Sequence, residues 1–146
     1  MDFQELLAKF GTPLFIYDFD YIKSRYNALK KEFNGRKSLI CYAVKANSNL
    51  SLLKMLANLG AGFDCVSFNE VARALKAGAD PYKIIYSGVG KSDAELISAL
   101  KAGILYINVE SHAELNRLEQ IARNLGVIAR ISIRVNPNID PKTHPY

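Results

Sequence analysis

The sequence predicts an α/β protein of serial βα units, the opening five units of a (β/α)8 barrel. Three observations predict it. Five short apolar segments begin 21 to 25 residues apart, at positions 38, 62, 83, 104 and 129. Amphipathic segments fill the intervals, three of them opened by a Ser-x-x-Glu pattern. Gly60, Gly78, Gly103 and Gly126 each stand between an amphipathic segment and the next apolar one. Alternation of this kind builds a parallel sheet, either open and doubly wound or closed as a barrel. No Gly-x-Gly-x-x-Gly opens any of the helices, which weakens the dinucleotide-binding version of the open sheet. The steady spacing favours the barrel. A whole barrel takes about 250 residues, so the 146 present are expected to be the first part of a longer one.

The elements follow in order. Residues 12–17 read as an isolated strand and 19–33 as a helix, before the rhythmic region begins. The core strands are expected at 38–44, 62–66, 83–87, 104–109 and 129–135, almost continuously apolar, as strands covered on both faces are. Helices are expected at 50–59, 69–77, 93–102 and 113–125. In the first of these, Leu50, Leu53, Leu56 and Ala57 recur at helical spacing and form one apolar stripe. Ser67 with Glu70, Ser92 with Glu95, and Ser111 with Glu114 predict three capping boxes, serine taking one free amide and glutamate another. The four glycines supply left-handed helix ends without a Cβ penalty.

Composition narrows the function. With 49% hydrophobic and 23% charged residues, the chain is neither low-complexity nor collagen-like. No apolar run approaches the roughly 20 residues of a membrane helix. The start, Met1-Asp2-Phe3-Gln4-Glu5, is acidic and leads into no signal core, so a cytoplasmic protein without a membrane partner is expected. Cys41 and Cys65 sit in apolar runs at no metal or redox spacing and are expected to be buried free thiols, with no metal site. The 19 Lys plus Arg exceed the 14 Asp plus Glu by five. The densest basic stretch, 23–37, lies at helix spacing with Glu32 inside it, which suits a solvated helix face better than a nucleic-acid surface.

Barrel chemistry collects on the loops after the strands' carboxyl ends. That filter selects Lys45, Asp64, the segment 87–90 with Ser87, Asn108 and Glu110, and Arg134. A lysine, a carboxylate, a glycine-rich turn and an arginine at one mouth suit a phosphorylated or carbonyl-containing ligand. Lys45 is either a nucleophile, for which the amine must be neutral, or a strand-end lysine reaching solvent. Asp64 and Arg134 in apolar strands need partners, structural or catalytic. Glu70, Glu95 and Glu114 are assigned to caps, and His112 to an exposed place in one. His144 has no assigned role. Gly88-Val89-Gly90-Lys91-Ser92 looks like the tail of a P-loop, but the first glycine of that motif would fall at Ile85. A nucleotide-binding module is therefore disfavoured.

These residues carry a resemblance. Tyr42-Ala43-Val44-Lys45-Ala46-Asn47 is similar to the cofactor-lysine motif of the barrel-type pyridoxal-phosphate decarboxylases and their alanine racemase relatives. Phe63-Asp64-Cys65-Val66-Ser67 with Glu70, and Ile85-Tyr86-Ser87-Gly88-Val89-Gly90-Lys91, continue the pattern. Arg134-Val135-Asn136-Pro137-Asn138-Ile139-Asp140, with Lys142-Thr143-His144-Pro145-Tyr146, resembles the branch of that family acting on diaminopimelate. The resemblance spans essentially the whole chain. It implies an alanine racemase-like barrel, pyridoxal 5′-phosphate as cofactor, and decarboxylation of meso-2,6-diaminopimelate to L-lysine and carbon dioxide. Lys45 matches the catalytic lysine that carries the cofactor; Asp64 and Arg134 match groups near it, and Ser87 a loop lining the pocket. The resemblance further implies a homodimer with shared active sites and a C-terminal β-domain that pairs with residues 1–18, leaving 19–146 as the partial cofactor-binding barrel. The phosphate loop, the acid facing the ring nitrogen and the specificity residues are expected beyond Tyr146, so the isolated chain is expected to be inactive and prone to aggregate. A decarboxylase of another basic amino acid, or a non-catalytic cofactor-binding or regulatory barrel, are the alternatives.

Overall fold

The structure, a computed structural model, describes residues 2–139 and Lys142. His144 and the rest of residues 143–146, with residues 140 and 141, lie outside the described residues, so part of the terminal stretch that carries the resemblance is not described. The chain separates into two compact units, Met1–Gly35 and Arg36–Tyr146.

The first unit holds two helices. Helix α1 (Phe3–Phe10) was not foreseen, although its signals are present: the Asp2 carboxylate accepts from the Gln4 amide at 2.8 Å, and Gly11 closes the last turn at φ +74°. Helix α2 (Phe19–Glu32) starts where Asp18 accepts from the Tyr21 amide at 2.9 Å. Its lysines and arginine are exposed, as a solvated basic face should be. Residues 12–17 form no paired strand among the described residues. A strand exists only by pairing with a neighbour, and the neighbour expected for this one belongs to a separate β-domain.

The second unit is the serial βα region. Strands β1 (Cys41–Ala43), β2 (Gly62–Cys65), β3 (Ile84–Tyr86), β4 (Tyr106–Val109) and β5 (Ile131–Ile133) form one parallel sheet in the order β1-β2-β3-β4-β5. Helices α3 (Leu50–Asn58), α4 (Phe68–Lys76), α5 (Asp93–Ala102) and α6 (His112–Leu125) connect them and pack side by side. A doubly wound sheet reverses its strand order at a switch point. Here every crossover moves to the next strand on the same side, and right-handed connections then place all four helices on one face. That is barrel winding, open after five strands.

Strand alternation divides the side chains accordingly. Phe63 and Cys65, Ile84 and Tyr86, and Ile107 and Val109 are buried on the helix side, and Leu53, Val71, Leu96 and Leu118 of the helices are buried as well. Asp64, Ile85, Tyr106 and Asn108 occupy the alternate positions and face the other side. Gly62 leaves no room for a side chain between its neighbours: a Cβ there would fall 2.6 Å from the Lys83 carbonyl oxygen and 2.7 Å from Cys41 Sγ. Cys65 is buried as expected, but Cys41 is only half-buried, because it stands on the edge strand. Burial first, then the nearby Glu70 and Asp64 carboxylates, pushes the Cys65 thiol up to about 12.

The expected helix ends hold. Gly60, Gly78, Gly103 and Gly126 all take positive φ, between 65° and 92°. The capping boxes need correction, because only Ser92 with Glu95 closes reciprocally. Ser67 and Ser111 do accept from the Glu70 and Glu114 amides. Glu70 and Glu114, however, reach one residue further back, to the Val66 and Glu110 amides at 2.8 and 2.9 Å. The strand carboxyl ends need those amides held, and a cap glutamate is the nearest acceptor.

Candidate active site

The carboxyl ends of the five strands gather every selected residue at one end of the sheet. Lys45 lies in a 3-10 turn, Val44–Ala46, directly after β1. The turn is short because α3 begins at once. Asn47 accepts from the Asn49 amide, and Asn49 caps the helix by accepting from Ser51 and Leu52. Val44 is fully buried and anchors the turn, while Lys45 is exposed. Its ammonium makes no hydrogen bond or ion pair with the described residues. Lys45 stands two residues beyond Ala43, and Ala43 pairs with Asp64 on β2.

Asp64 has no lysine or arginine partner among the described residues. Its Oδ1 accepts from the Ser87 hydroxyl at 2.7 Å, and Ser87 Oγ in turn accepts from Asn108 Nδ2 at 2.9 Å. Three adjacent strands therefore join in one polar line. Arg134, just past β5, is mostly exposed and donates to Glu110 Oε2 at 3.0 Å. Glu110 is nearly buried, and its other oxygen accepts from the Gly88 amide at 3.0 Å. These partners, more than offsetting the cost of burial, hold the Glu110 carboxyl below the usual carboxylate range. Gly88 takes φ +106° beside the Val66 carbonyl, a conformation that L side chains rarely adopt.

The lysine of the P-loop-like stretch has a different use. Lys91 Nζ donates to the Gly88 and Asn108 carbonyls at 2.6 and 2.7 Å and to Glu114 Oε1 at 2.7 Å. It also lies 5.5 Å from the centre of the Tyr86 ring, and its side chain is 1% exposed. Three acceptors consume its three protons, and Ser92 is engaged as a cap. Neither the lysine nor the serine of this segment is left to serve a phosphate in P-loop fashion. Glu95 is likewise structural: it accepts from the Ser92 amide and hydroxyl, the Phe68 amide and the Tyr86 hydroxyl, which hold its carboxyl low. His112 is exposed, as expected.

Sequence reasoning selected Asn108 and Glu110 by position but gave them no role. Their roles follow from register, which alternation alone does not fix. At the opposite end of the strands, Arg130 donates to the Gly103, Ile104 and Leu105 carbonyls and stacks 4.5 Å from the Tyr82 ring centre. That arginine ties the amino ends together, where barrel residues serve stability.

The mouth therefore offers an unengaged amine, a carboxylate held by one oxygen, and an arginine. An aldehyde-bearing anionic cofactor fits this donor set. The family model described as the pyridoxal binding domain of pyridoxal-dependent decarboxylase matches residues 19–146. A diaminopimelate decarboxylase of Campylobacter jejuni is 64% identical over 146 residues, all of this chain and 36% of the relative. The crystal structure of diaminopimelate decarboxylase from Helicobacter pylori complexed with L-lysine superposes with a TM-score of 0.96 at 59% identity, covering 99% of this chain and 37% of that one. A lysine/ornithine decarboxylase of Vibrio vulnificus, complexed with cadaverine, shares the fold with a TM-score of 0.81 at 24% identity, over 93% of this chain and 36% of that one. The chain thus spans about a third of the length of the relatives it matches.

Proposed function

The chain belongs to the pyridoxal-dependent decarboxylases, as their pyridoxal-binding domain, and from this we propose that the protein carrying it converts meso-2,6-diaminopimelate to L-lysine and carbon dioxide. One observation carries the reading. In the loops after β1 to β4 there are two lysines, and only Lys45 is free to react, because Lys91 is spent on three acceptors. Bound pyridoxal 5′-phosphate supplies an electron sink for the pair left when carbon dioxide departs. The chain's own residues do the rest. Lys45 presents its amine at the mouth, where its Nζ would hold the cofactor's aldehyde carbon and would stand beside the substrate's amine. Asp64 offers its second carboxylate oxygen on the same face. Arg134, steadied by Glu110, brings a cation to the far side of the mouth, and Ser87 lines the loop between them.

Diaminopimelate is favoured over another basic amino acid because identity to the diaminopimelate enzymes is 59–64%, against 24% for the lysine/ornithine enzyme. The same family reading carries a cytoplasmic homodimer with shared sites, and a β-domain that receives residues 12–17 as a strand. Among the described residues no helix is long and apolar enough to cross a membrane. The test is product analysis with the full-length protein and pyridoxal 5′-phosphate, offering meso-diaminopimelate, ornithine, arginine and lysine in parallel. Lysine and carbon dioxide from diaminopimelate alone is the expected result. Preferred turnover of ornithine or arginine would move the assignment to the rival substrate class, and no turnover of any would favour the non-catalytic barrel.

A further inference from the structure

We propose that Ser87 and Asn108 form a directed hydrogen-bond relay whose purpose is to orient Asp64, making both positioning residues rather than groups that touch the cofactor. The proposal rests on the cofactor reading above and deepens it. Its basis is the register of three neighbouring strands. Asp64 pairs with Ala43 on one side and Ile85 on the other, so neither residue level with it can hold its carboxylate. Ser87 lies two residues beyond Ile85, and the parallel ladder still runs there, since its amide donates to the Cys65 carbonyl at 2.8 Å. Ile85 pairs with Tyr106, which puts Asn108 level with Ser87. The hydroxyl is therefore one step nearer the mouth than Asp64, and reaches back to it.

The direction of the relay follows from chemistry. A serine hydroxyl has one proton to give, and an amide nitrogen can only donate. With Asn108 Nδ2 donating to Ser87 Oγ at 2.9 Å, the serine proton is left for Asp64 Oδ1 at 2.7 Å. The main chain that carries Asn108 is itself held, because its backbone carbonyl accepts from the buried Lys91 ammonium at 2.7 Å. One carboxylate oxygen is thus pinned in the sheet and the other turned toward the ligand. Without the relay, Asp64 would be free to rotate between ligand and solvent.

The experiment measures pyridoxal 5′-phosphate affinity of the full-length apoprotein by absorbance titration, with thermal melting to confirm folding. A hydrogen bond to a charged group is worth enough that Ser87→Ala is expected to weaken binding about tenfold. Asn108→Ala acts only through Ser87, so the double variant should bind no more weakly than Ser87→Ala alone. Ser87→Thr, which keeps the hydroxyl, should restore affinity to within about twofold. Asn108→Asp replaces the donor with an acceptor and should match Ser87→Ala by drawing the hydroxyl away. Wild-type affinity in folded Ser87→Ala, or losses at Ser87 and Asn108 that multiply, would overturn the relay while leaving the cofactor reading intact. Failure of the unsubstituted protein to take up the cofactor would overturn both.

Discussion

Lys45 and Lys91 leave the same end of the sheet and finish in opposite situations. Lys91 is buried among two carbonyls, a carboxylate and an aromatic ring, while Lys45 stands in a short turn with its ammonium unengaged. A charge that costs desolvation is retained where it joins strands; one that stays solvated remains available for chemistry. Lys45→Ala in the full-length protein is therefore expected to abolish turnover and covalent cofactor uptake while leaving the melting temperature near that of the parent, checked by product assay and melting. Lys91→Met should do the reverse of this pattern in its primary effect. It strands the Glu114 carboxylate and is expected to cost about 3 kcal/mol in denaturant unfolding. Glu95 gives a pH signature. Its hydrogen bonds lower its carboxyl below the usual range, so its contribution is present above about pH 4.3 and is lost as pH falls through the lower folded value. Glu95→Gln should lower the melting temperature by about 3 °C at neutral pH, with the gap closing on acidification.

Among the elements, the sequence patterns that rest on local geometry read through almost unchanged. Helices α3 to α6 fall within one residue of their expected bounds, because caps and terminal glycines act within a single turn. The strands come out at three or four residues, shorter than the apolar runs that announced them, since pairing and not hydrophobicity sets their length. Helix α1 carries Asp2, Gly11 and a spaced Phe3, Leu7 and Phe10, signals that are weaker than the repeated rhythm downstream. What could not be read was the choice of partner. Glu70, Glu95 and Glu114 occupy the same place in one motif, but each answers to different amides and cations brought near by neighbouring strands. Asp64, a carboxylate in an apolar strand, needs a partner that the sequence does not name, and register supplies a serine. Gly62→Ala must push aside the Lys83 carbonyl or Cys41 Sγ and is expected to cost about 1–3 kcal/mol of stability by chemical denaturation.

Taken as a whole, the described sheet is a wound but open structure with one flank bare. A groove of about 440 Å³ runs between α6 and β5, lined by Leu115, Leu118, Ala122, Val127 and Ile131. Beyond it Ile128, Ile133 and Val135 are 92%, 67% and 77% exposed. Exposed apolar surface of this kind beside an unpaired strand edge favours association. Residues 1–146 expressed alone are expected to aggregate and to show no decarboxylase activity, with light scattering and product assay as the checks. A well-behaved, active monomer would contradict that. The role of the Lys45 amine at the mouth of this sheet is tested by borohydride reduction of the cofactor-loaded full-length protein followed by peptide mass spectrometry. The pyridoxyl group is expected on Lys45. Finding it on Lys91 or any other side chain would remove Lys45 from that role.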